Sequence, residues 1–152
     1  MQRRPLYAAV GSGVAVLSSA FAASGVRATS SSKDLTDEFD PKRTLVVFYS
    51  RRGENYAPGG TQMLDIGHTE RLARRIAEDF GTRLFEVRTV KSYPADYRET
   101  TVVAQRELEA GEHPEIVGPM PDITDIDLVV LGHPIWWGRM PAALDTFLAQ
   151  VD

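Results

Sequence analysis

Thr44-Leu45-Val46-Val47-Phe48-Tyr49-Ser50 is an unbroken run of β-branched and aromatic residues that ends on a hydroxyl. A strand with one wet face alternates apolar with polar residues, whereas a run without alternation suits a strand buried on both faces of a parallel sheet. Working outward, a Gly-containing loop follows. Leu72, Ala73, Ile76, Ala77 and Phe80 then recur at helical spacing up to Gly81, a natural helix stop. Arg83 to Val90 sets Phe85 and Val87 on one face against Glu86 and Arg88 on the other, the pattern of an edge strand. Asp96, with Glu99 three residues on, opens a second helix that runs to Gly111, with Tyr97, Ala104 and Leu108 as its inner stripe. Asp127 to Leu131 is again a solid apolar strand. Pro141 suits the first turn of a third helix, on which Leu144, Phe147, Leu148 and Val151 share a face. Strand and helix alternating three times predict an α/β fold with a parallel sheet.

Upstream of this domain the sequence has a different character. Arg3 and Arg4 head an uncharged stretch from Pro5 to Val26, and Ala20-Phe21-Ala22 offers a small-x-small cleavage site. Basic head, apolar middle and small-residue end are the order of an export signal. Residues 1–28 are therefore read as a signal peptide, and the protein is expected outside the cytoplasm, periplasmic or extracellular. The Arg pair also resembles a twin-arginine signal, with Pro5 as a departure from it. Gly and Ser dilute the run too much for a stable membrane anchor. Residues 29–43 are polar and aperiodic and read as a linker.

Beyond residue 28 the chain has 14 basic and 21 acidic groups, a net of −7. Phosphate neutralisation dominates nucleic-acid affinity, so that balance argues against a nucleic-acid partner and fits docking on a basic protein. With no cysteine there is no disulfide, thiolate nucleophile or iron–sulfur cluster. His68, His113 and His133 lie too far apart for a ligand motif, so no metal ligands are assigned. No residue reads as a catalytic acid, base or nucleophile.

Ligands of open α/β sheets bind beyond the carboxyl ends of the strands. Two unusual segments fall there. The first runs from Ser50 to Gly67-His68-Thr69-Glu70, where hydroxyls, glycine amides and a helix start suit a phosphate. The same residues also serve any strand-to-helix turn. The second is His133-Pro134-Ile135-Trp136-Trp137-Gly138-Arg139-Met140, directly after a buried strand. Exposed large aromatics mark ligand or partner sites. A planar apolar ligand stacked on an indole explains the tryptophan pair. The alternative packs one under the last helix and the other over the sheet edge.

Ser50-Arg51-Arg52-Gly53-Glu54-Asn55-Tyr56, Gly67-His68-Thr69-Glu70, Lys91-Ser92-Tyr93-Pro94-Ala95-Asp96-Tyr97 and Pro134-Ile135-Trp136-Trp137-Gly138, in that order, resemble the signatures of bacterial flavodoxin-like proteins. The likeness runs from Thr44 to the last residue. It implies a three-layer α-β-α domain over 44–152 with sheet order 2-1-3, the later strands of the family's 2-1-3-4-5 sheet being absent from this chain. It implies FMN as cofactor, with its phosphate at Ser50, Gly67, His68 and Thr69, and with Arg51, Gly53 and Asn55 in the same loop. The flavin ring would lie at Pro134, Ile135, Trp136, Trp137 and Gly138. His68 stands where the family usually has Asn. The function implied is electron transfer to a redox partner protein. Alternatives are an FMN-dependent NAD(P)H:quinone-type reductase, or a fragment that binds no cofactor. In a 2-1-3 sheet the strand at 128–131 would be a bare apolar edge, which leads us to expect self-association through it.

Overall fold

In the computed structural model the strand β1 (Leu6–Val10) and residues 39–151 are described. Apart from β1, the expected signal peptide and most of the expected linker lie outside the described residues. A short 3-10 turn at Pro41–Arg43 leads into β2 (Thr44–Phe48), followed by β3 (Gly53–Ala57), β4 (Gly60–Leu64) and α1 (His68–Phe80). Then come β5 (Arg83–Glu86), α2 (Tyr97–Ala110), β6 (Leu128–Gly132) and α3 (Ala142–Val151). β5, β2 and β6 are adjacent and parallel, the 2-1-3 order read from the sequence.

β2 carries the core because both of its faces are covered. Val46 and Phe48 pack with Ala73 and Ala77 of α1, while Leu45, Val47 and Tyr49 pack with Ala143, Leu144 and Phe147 of α3. All five residues of β2 are buried, as a non-alternating run requires. With helices on either side, the sheet is the middle of three layers. Among the described residues no helix is long and apolar enough to cross a membrane.

Local rules account for the helix limits. Gly81 and Gly111 end α1 and α2 in the left-handed conformation, with φ of 65° and 64°. Asp96 caps α2 by accepting from Glu99 N at 2.8 Å. The inner stripes differ from expectation. On α1 the buried apolar residues are Ala73 and Ala77, while Leu72 is exposed. On α2 the buried residues are Thr100 and Ala104, and Leu108 lies toward solvent. α1 meets the sheet chiefly through alanines, which brings its backbone close, with Ile76 packed at the margin and Leu72 left exposed.

Two further expectations are corrected. The segment after Ser50 is not a plain loop: β3 and β4 pair antiparallel around Pro58-Gly59, and Gly59 has φ +90°. Proline at the second turn position and a positive-φ glycine at the third make a type II turn. Nor is β6 a bare edge. β1 lies parallel along its outer side, with Leu6 opposite Leu128 and Val10 opposite Gly132, giving the four-stranded order β1-β6-β2-β5. An apolar strand with open backbone groups is a template for another strand, and here a segment of the same chain satisfies it.

Candidate functional site

At the carboxyl end of β2 the chain leaves the sheet at Ser50, and Gly67 brings it back to the start of α1. Gly67 supplies no side-chain cap. Ser50 Oγ takes that role from across the loop, accepting from Glu70 N at 3.0 Å. The fit is tight: a Cβ on Gly67 would overlap Ser50 Oγ and lie 2.5 Å from Arg51 O. Such a glycine-lined, amide-rich helix start is a cradle for an anion. Beneath it the Glu70 carboxylate is buried, held by Arg74 at 2.9 Å and more loosely by Arg52 at 3.4 Å.

Arg51 turns inward and is 8% exposed. Its guanidinium donates to the carbonyls of Pro94, Ala95 and Asp96 at 2.9, 2.7 and 3.0 Å, and to that of Glu54. Its Nε is buried without a partner. Burial holds its pKa below the ordinary arginine value, against the opposing effect of nearby Glu54 and Asp96. Glu54 is the reciprocal pin. Its carboxylate accepts from Thr61 Oγ1 at 2.5 Å and from Tyr97 N at 3.0 Å, which keeps its pKa below the usual range. Asn55 Nδ2 closes the loop on the carbonyls of Gly53 and Arg51 at 3.0 and 3.3 Å.

At the end of β6 the two tryptophans part company. Trp136 is half-buried and packs edge-on against Tyr49 and Tyr93, at 5.5 and 5.0 Å between ring centres. Burial raises the pKa of both tyrosines, and Tyr93 donates to Glu107 at 2.6 Å. Trp137 is 55% exposed, and its Nε1 donates to Thr101 O at 3.0 Å. It is the more open of the two, with φ +50° followed by Gly138 at +75°. Reciprocal bonds of 2.8 and 2.9 Å between Trp136 and Arg139 close the turn. This is a type I′ turn, whose central positions favour Asn and Gly. Left-handed backbone costs a bulky residue about 1–2 kcal/mol, and such strain collects at ligand clamps.

Between these loops lies a cavity of about 690 Å³. Of the residues expected from the sequence, Arg51, Asn55, His68, Pro134, Ile135, Trp136 and Trp137 line it. Ser50, Gly53, Gly67, Thr69 and Gly138 are not in its lining; they shape the loops behind it. Sequence reasoning did not single out Thr100 or Thr101, quoted Tyr56 only as part of the Ser50–Tyr56 signature, and placed Tyr97 on the inner stripe of its helix, yet all four line the cavity; Ala104, expected on the same stripe, is buried and also borders it. The Pro58-Gly59 turn was the available signal for Tyr56, because it predicts the hairpin that carries it. A smaller cavity of about 440 Å³ shares Ala104 and Trp136 with the first and is more polar, including Glu107, His113, Arg139 and Asp145. Among the described residues no group of three His, Asp or Glu is placed to hold a metal.

The residues fit a flavin. Aromatic walls suit a planar heterocycle, and the glycine cradle with a buried, incompletely bonded guanidinium nearby suits an anionic tail. Comparisons with known proteins agree. No curated protein matches the sequence significantly. The chain resembles the 1.50 Å crystal structure of a protein from Bacteroides uniformis that carries a provisional flavoprotein assignment, with a TM-score of 0.58 and 23% identity. The match covers 74% of this chain and 66% of the other, so this chain spans slightly less than two thirds of that relative. A sequence profile described as flavodoxin matches residues 63–152, more than half of the chain, and the protein therefore belongs to the flavodoxin family.

Proposed function

We propose that this protein is an exported electron carrier that binds FMN and passes electrons to a redox partner protein. The observation that carries the reading is the cavity itself, with the strained, exposed Trp137 on its wall and the Gly67–Ser50 cradle close behind it. When bound, FMN supplies the redox chemistry. The chain's own residues bind and orient it and set its surroundings. In this reading His68 and the amides at the start of α1 meet the phosphate, and Trp137 meets the ring; the support is that His68 and Trp137 line the same cavity.

Addition of FMN to the purified chain is expected to quench tryptophan fluorescence, and riboflavin is expected to bind more weakly for want of the phosphate. Trp137→Asn is expected to weaken FMN roughly tenfold, in line with about 1–3 kcal/mol per stacked aromatic contact. The same change puts a favoured residue in the left-handed position, so stability should hold or rise. Unchanged FMN affinity in this variant, with no quenching in the parent, would refute the site. Oxidation of NAD(P)H by the loaded chain with a small quinone would identify a reductase instead.

Export rests on the order of the leader, with its basic head, apolar run and Ala20-Phe21-Ala22. The exported protein is expected to begin near Ala23 or Thr29. Processing there would detach Leu6–Val10 from β6 and bare its edge. Light scattering of the processed protein should then show self-association, against a monomeric full-length chain. A monomer in both forms argues against the edge as a contact surface.

A further inference from the structure

We infer that the β3–β4 hairpin is a second wall of the flavin site, and that Tyr56 is the residue on it that stacks against the ring. This rests on the proposed function above and adds a residue and an element to it. Tyr56 is 70% exposed, although it sits in a paired strand beside a cavity. Its ring lies 6.3 Å from that of Tyr97, tilted by 39°. Trp137 reaches the same helix at Thr101. Tyr97 and Thr101 are four residues apart, so they share one face of α2, about 6 Å from each other along its axis. Two exposed aromatic side chains are therefore posted one helical turn apart along the floor of a single cavity.

A wall must also stay in place, and the hairpin is pinned where it meets α2. Glu54 N donates to Ala95 O at 2.9 Å, and its carboxylate ties Thr61 of β4 to the first amide of α2. Gly53, at φ +94°, passes so close that a Cβ there would come within 2.9 Å of Ala95 O. Arg51 bolts the same Pro94–Asp96 turn from the other side. Tyr56 thus projects from a fixed support, with the Tyr97 ring beside its own and most of its surface open. What it can recognise is a planar aromatic heterocycle, independent of charge.

The test is titration of the full chain with FMN and with riboflavin, comparing Tyr56→Leu and Tyr56→Phe with the parent. If Tyr56 meets the ring, Tyr56→Leu weakens both flavins by the same factor, about tenfold. Tyr56→Phe stays close to the parent, and thermal melting is unchanged in both because the side chain is largely exposed. Parent-like affinity of Tyr56→Leu for both flavins overturns the inference while leaving the proposed function intact. So does a loss confined to FMN, since that would place Tyr56 at the phosphate. Failure of the parent chain to bind either flavin overturns the proposed function and this inference with it.

Discussion

Gly67→Ala is expected to abolish useful flavin binding and to destabilise the fold at the same time. The reason is space and not backbone freedom, because Gly67 has an ordinary φ of −64°. A methyl group there would overlap Ser50 Oγ and press to 2.5 and 3.1 Å on the carbonyl oxygen and carbon of Arg51. Two of those atoms are backbone and cannot rotate away. Either α1 retreats or the 50–51 segment shifts, and both movements break the Ser50 Oγ bond to Glu70 N. Overpacking costs about 1–3 kcal/mol and a lost N-cap about 1 kcal/mol. Since the same atoms shape the anion cradle, flavin affinity should fall on the order of a hundredfold, which corresponds to about 2.7 kcal/mol. Gly59→Ala is the control. It carries a positive φ but has open space around it, so it should cost some stability and leave affinity alone. Thermal melting and FMN titration of the two variants check this. Parent-like binding by Gly67→Ala would mean that the cradle is not the phosphate site.

How far the sequence foretold this arrangement depends on the kind of signal. The strands Thr44–Phe48 and Leu128–Gly132 were legible because burial on both faces requires an unbroken apolar run, and few other structures do. Helix ends were legible at Gly81 and Gly111, where only a left-handed residue completes the cap. Pairing between distant segments was not. Nothing in Leu6–Val10 marks it as the neighbour of β6, because its composition serves equally well as the apolar part of a leader. The site was half legible. Pro134 to Trp137 and the Ser50 and Gly67 loops were conspicuous, since glycine and tandem tryptophan are rare requirements. Tyr97 was read as part of the inner stripe because it falls at helical spacing with Ala104, which is indeed buried. In the structure that face of α2 looks into a cavity, a fact set by where the hairpin docks and not by the helix itself. Which tryptophan faces solvent was likewise hidden. The I′ turn decides it, and Trp-Gly is not a usual sequence for that turn.

Phe147→Ala is expected to cost about 3–5 kcal/mol, the range for removing a buried aromatic side chain. Phe147 is 1% exposed and stands where α3 meets the sheet, its ring 5.7 Å from that of Phe85. Leu45 and Val47 of β2 and Val129 and Leu131 of β6 belong to the same cluster. Strands locked in a parallel ladder cannot close inward to fill the space, so the cavity term should be near its full value. Against a total stability of about 5–15 kcal/mol, such a loss leaves the domain close to its threshold. The effect should also reach the site. The segment carrying Trp136 and Trp137 runs directly from β6 into α3, so a loosened α3 lets that turn wander. Binding energy can be returned through the same link. A ligand at about 100 times its Kd adds about 2.7 kcal/mol to the folded state. Phe147→Ala should therefore melt far below the parent without FMN and recover much of the difference when FMN is in large excess. Melting curves with and without FMN decide the matter. A variant as stable as the parent would contradict the core assignment, and one that FMN leaves unshifted would sever the link between α3 and the flavin loop.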